Sequence, residues 1–187
     1  MSNFENSYEL EEEKSEHDLK FFFISKGHQD IIKAIQYSYV QELNSKSVYN
    51  IGFGDYDIEN DNIIDNVNTN NGDAYKVFNT VLNTIPIFFE NYATSILMVQ
   101  GSDGRPEFME HCKLTCTKKC NNECKNHNRR INIYKTYVDK NFSTLSIDYH
   151  FLGGIKNDDE ETFLEPYELQ KKYDSVFLFK KMYNFTV

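Results

Sequence analysis

The chain has 187 residues and a formal charge of −9 at pH 7, from 20 Lys and Arg against 29 Asp and Glu. That length supports a hydrophobic core without covalent staples, while the acidic balance excludes nucleic-acid binding by the surface as a whole, because phosphates need facing cations. No run approaches the roughly 18 apolar residues of a membrane-spanning helix, and 13 Tyr with 15 Phe exclude a chain too polar to pack.

Residues 1–18 carry Glu5, Glu9, Glu11, Glu12, Glu13, Glu16 and Asp18 against Lys14. They read as an acidic, flexible lead-in with order expected near Tyr8. The segment lacks the basic and apolar regions of a signal peptide, so the expected location is the cytoplasm, where thiols stay reduced.

A single domain is expected over 19–187. LKFFFISKG (19–27) and IIKAIQYSYV (31–40) read as strands, the second with Ile35, Tyr37 and Tyr39 at period two. SVYNIGFGDYD (47–57) is a third, in which Gly52 and Gly54 mark a bulge or a close backbone approach and Asp55 a turn. The Asn- and Asp-rich stretch that follows has loop composition. Asp73 is placed to cap a helix whose Ala74, Val77, Phe78, Val81, Leu82 and Ile85 recur at helical spacing, and Pro86 is expected to kink or end it.

SILMVQG (95–101) is a continuous apolar run and reads as a central strand. RRINIYKTYVDKNF (129–142) sets Ile131, Tyr134 and Val138 on one helical face. TLSIDYHFLGG (144–154) and YDSVFLFKKMYNF (173–185) read as strands around an acidic loop. The sum is an α+β fold in the order β-β-β-α-β-α-β-β: a mixed, largely antiparallel sheet of about six strands with two packed helices.

The cysteines interrupt this order at 103–128. EHCKLTCTKKCNNECKNHNRR (110–130) places Cys112, Cys116, Cys120 and Cys124 four residues apart, with His111 and His127 outside them. One straight helix would hold the first and last about 18 Å apart at 1.5 Å per residue, too far for sulfurs about 2.3 Å from one zinc ion. A shared zinc therefore requires the segment to fold back, and Asn121-Asn122 suits the turn. The preferred reading is a structural zinc knuckle of the four cysteines, with His127 a possible substitute for one; disulfides between the same limbs, and thiols or another metal, are the alternatives. A catalytic zinc would need an open position and a general base, for which no candidate stands out.

Between His111 and Arg130, Lys113, Lys118, Lys119, Lys125, Arg129 and Arg130 oppose only Glu123. Such a local basic surface suits a protein partner or a nucleic acid; no membrane role is expected.

YNIGFGD (49–55), TNNGDAYKVFNTV (69–81), QGS (100–102) and RRINIY (129–134) together resemble a family of small uncharacterised Bacteroidota proteins grouped as a domain of unknown function. The resemblance covers most of residues 8–183, implies a fold without assigning catalytic residues, and makes the cysteine stretch an insertion. Its family context suggests a link to toxin–antitoxin or phage-defence systems. The element order is also similar to the GNAT acyltransferases, which bind the pyrophosphate of acetyl-CoA on backbone amides at the start of their first helix. That resemblance places cofactor contacts at Asn71, Gly72 and Ala74, although Thr69 and Asp73 depart from the family pattern, and it makes Tyr134 or Tyr137 the acid that protonates the leaving thiolate. The plainer reading of both tyrosines is helix packing.

Two functions are thus expected. One is a binding or interaction protein with a structural zinc knuckle; the other is an acyl-CoA-dependent N-acyltransferase.

Overall fold

The computed structural model describes residues 5–15, 18–64, 71–104, 106–115, 120, 124–157 and 161–181. The fold is α+β, with nine strands and three α helices among the described residues, and the strand pairings in each unit are antiparallel. The chain divides into two compact units, Met1–Leu97 and Met98–Val187, where the sequence reading takes 19–187 as one domain.

In the first unit, β1 (Glu11–Lys14), β2 (Asp18–Lys26), β3 (Asp30–Leu43) and β4 (Lys46–Asp57) pair in sequence order, and β5 (Asn62–Ile64) adds to β4. The alternation expected of β2 and β3 decides which side chains face inward: Leu19, Phe21 and Phe23 on β2, Ile35 and Tyr37 on β3, and Ile51 on β4 are buried. Helix α1 (Ala74–Asn91) covers this face. Tyr37 stacks on Phe88 with ring centroids 4.6 Å apart, and its hydroxyl shares a 2.6 Å hydrogen bond with Thr84.

Three local readings need correction here. Residues 11–14, taken as lead-in, form a fully exposed strand, because backbone pairing to Leu19–Phe22 needs no apolar side chains. Pro86 does not end α1, which continues to Asn91 because Ile85, Phe88 and Phe89 are buried on either side of it. Asp55 is not in a turn; it stays within β4, where it forms an ion pair with Lys33 on β3.

β6 (Ile96–Gln100) spans the boundary between the units. In the second unit a 3-10 turn (Ser102–Gly104) precedes α2 (Pro106–Thr115) and α3 (Arg129–Asp148), and β7 (Tyr149–Lys156) pairs with both β8 (Thr162–Pro166) and β9 (Ser175–Lys180). The expected two helices are therefore three, and the acidic loop before residue 166 holds a strand. Helix α3 extends six residues past the expected end because Leu145 prolongs the stripe of Ile131, Lys135, Val138 and Phe142 at helical spacing. Phe142 packs on Phe151 and Tyr167, with ring centroids 5.4 and 5.6 Å away. Gly153 lies against Tyr173 so closely that a β-carbon there would enter the ring.

Candidate functional site

The cysteine segment begins as a helix. Cys112 lies in the last turn of α2 and is buried. Its Sγ is 3.3 Å from that of Cys124, twelve residues on, so the chain has folded back. Cys112, Cys120 and Cys124 are thiols, and the 3.3 Å contact is well beyond a bonded pair of sulfurs at about 2.05 Å.

Backbone and amide groups attend the sulfurs. The Lys125 N–H donates to Cys120 Sγ at 3.3 Å, and Asn126 Nδ2 donates to Cys112 Sγ at 3.4 Å. The contact with Cys112 holds the Cys124 thiol below the ordinary thiol range; the amides of Asn126 and His127 and the Cys120 side chain add to this, against burial. Cys116 and the turn expected at Asn121-Asn122 lie outside the described residues, as do the side chains of Lys113, Lys118 and Lys119. His127 is half-buried, and its backbone N–H donates to the Cys124 carbonyl at 3.0 Å. Among the described residues no group of three or more metal-ligating side chains surrounds a common point. The pair Cys112–Cys124, with Cys120 in contact, fits soft thiolate ligation in kind, since N–H donors to sulfur are the usual support of such ligands.

The start of α3 is built on the same segment. Asn128 adopts a left-handed conformation, φ 55°, and makes no side-chain cap. Instead the buried Asp103 accepts the Arg130 N–H at 2.9 Å, so a carboxylate from the 3-10 turn caps the helix across 27 residues of chain. The Arg130 guanidinium bonds the Ser102 hydroxyl, which gives this arginine a structural use; Arg129 is exposed. Further along α3, Asp139 accepts Lys135 Nζ at 2.6 Å and the Tyr167 hydroxyl at 2.7 Å. Burial first, and Asp139 second, push the Tyr167 phenol well above the usual tyrosine range. Tyr134 and Tyr137 are half-buried on this helix.

In the first unit, the start of α1 is a polar cluster. Asp73 occupies the cap position without a side-chain cap bond, which corrects the expected role. Its Oδ2 accepts the Tyr8 hydroxyl at 2.8 Å and the Ser25 hydroxyl at 2.7 Å. Asn71 is buried, and its Nδ2 donates to Ser25 Oγ and to the Gln29 carbonyl, each at 2.9 Å. Gly27 has no room for a β-carbon against Asn71. Gly72 is needed for its positive φ of 80°, and Ala74 is exposed. Asn71 and Asp73 thus spend their side chains on the protein. The Lys33–Asp55 pair, 2.5 Å long and almost buried, lies on the same sheet face one pair beyond Ser25.

Sequence reading missed the partners of these residues. Tyr8 carried a signal, an aromatic residue in an acidic stretch; Ser25 and Asp103 are small polar residues whose meaning comes only from what folds against them.

Residues 4–107 match a family of unknown function, DUF6934. The chain belongs to DUF6934. The match takes in the GFGD and NNGD stretches and ends before the cysteines, so Arg130 and Tyr134 lie outside it. No curated protein and no solved structure matches this DUF6934 chain. Among the described residues no helix is long and apolar enough to cross a membrane.

Proposed function

We propose that this DUF6934 protein is a binding protein whose cysteine segment is a structural zinc knuckle presenting a basic surface to a partner. The reading is carried by the 3.3 Å approach of Cys112 and Cys124, with Cys120 in contact. Cys112, Cys116, Cys120 and Cys124 would hold the ion, His127 being the substitute for one. When bound, zinc would fix the two limbs in place of a hydrophobic core. Four thiolates around one zinc carry a formal charge of −2, which the six neighbouring Lys and Arg residues exceed. The remaining positive charge suits an acidic protein surface; a nucleic acid is the competing partner. A role in toxin–antitoxin or phage-defence systems rests on family resemblance alone.

The acyltransferase reading is the weaker one. A pyrophosphate at Asn71, Gly72 and Ala74 would meet the Asp73 carboxylate, and the Asn71 amide is already committed. Binding of acetyl-CoA would raise the melting temperature; no shift at millimolar cofactor is expected.

Elemental analysis of protein purified without chelator tests the knuckle. About one zinc per chain is expected, falling on Cys112→Ser or Cys124→Ser, whereas less than about half an equivalent with freely titratable thiols overturns it.

A further inference from the structure

A cavity of about 630 Å³ lies beside β2 in the first unit, within the range of small-molecule pockets. One side is the segment Ser7–Glu11; the other is the part of β2 that outruns its partner, since β1 pairs only with Leu19–Phe22. Phe22, Phe23, Ile24 and Ile32 supply an apolar wall, and Ile24 is 45% exposed. The cations are Lys26 and Lys76, the latter with Nζ 3.9 Å from the Tyr8 ring centroid. Glu9 and Glu11 are exposed and belong to the rim.

The edge of β2 also offers backbone. The Lys26 N–H donates to the Tyr8 hydroxyl at 3.0 Å, and the Lys26 carbonyl lies 3.2 Å from it. These groups therefore point out of the β2–β3 ladder, and by the period of two so do those of Ile24. An outward N–H, an apolar wall and the ammonium of a half-buried lysine are the features that bind a carboxylate carrying an apolar body.

We propose that this cavity binds a small amphipathic carboxylate of the medium-chain fatty-acid class. Lys76 and the Ile24 N–H hold the carboxylate, while Phe22, Ile24 and Ile32 cover the chain. The site lies wholly in the first unit and does not depend on the zinc knuckle.

The full-length chain is titrated with decanoate below its micellar range, by calorimetry and by backbone amide NMR. Saturable binding at one site is expected, with the Ile24 amide among the shifted signals. Lys76→Gln should weaken binding about tenfold, as should replacing decanoate by decanol. Since Lys76 also touches Tyr8, Ile24→Glu is the second variant: it changes a half-exposed strand position and should abolish binding without unfolding. A titration that does not saturate, shifts confined to the second unit, or either variant binding like the unaltered protein would overturn the proposal.

Discussion

At the residue scale, Tyr8 and Asp73 show how one side chain can substitute for a missing element. The Tyr8 hydroxyl meets the backbone of Lys26, where a longer β1 would have paired, and donates to the Asp73 carboxylate. Asp73→Ala removes an acceptor shared by Tyr8 and Ser25, and should lower stability by about 2 kcal/mol in urea titration, since bonds to charged groups outweigh neutral ones. Tyr167 makes a different prediction. Its folded pKa is raised, so its contribution is complete below the unfolded value of 10.0 and is lost as pH rises above it. Thermal melts between pH 9 and 11 should show a steeper alkaline loss in the unaltered protein than in Tyr167→Phe; parallel curves would exclude the effect. None of these partnerships was legible in the sequence. The Asp73 position suggested a cap, but a carboxylate bonds whichever donors the fold brings closest, and two came from 48 and 65 residues away.

At the element scale, legibility followed the strength of the apolar period. Strands β2, β3, β4 and β6 and the helix α1 announced themselves through apolar side chains at strand or helix spacing, several of them buried. The acidic β1, the three-residue β5 and the largely exposed β8 did not, because each is held by backbone pairing to a neighbour that carries the buried residues. The end of α3 was misread for a related reason: Leu145, Ile147 and Tyr149 alternate like a strand, but Ile147 is exposed and Leu145 continues the helical stripe. The cap of α3 is testable here. Asp103→Ala should cost about 1 kcal/mol by loss of a capping carboxylate, with the deficit appearing as faster amide exchange in the first turn of α3.

At the scale of the whole molecule, the match to DUF6934 covers all but the first three residues of the first unit and stops ten residues into the second, so the two units rest on different kinds of support. The zinc proposal concerns only the second. Hydrogen exchange with and without chelator should therefore show protection lost around α2 and the start of α3, with β2, β3 and β4 unchanged. Equal loss in both units would mean that the knuckle stabilises far more than its own limbs. The sequence made the fold-back of the cysteines inferable, because helix geometry alone rules out a shared ion on one straight helix. It could not reveal what the limbs rest against, since Asp103 and Asn126 acquire partners only after folding.

The contact between Gly153 and the Tyr173 ring binds two distant positions to a common history. A lineage that acquires a side chain at 153 must first, or at once, give up the ring at 173, so the two codons cannot drift independently. In a library randomised at both positions and selected for soluble expression, survivors with a residue larger than glycine at 153 should carry a small one at 173; free assortment of the two would show that the strand can yield where its backbone now touches the ring.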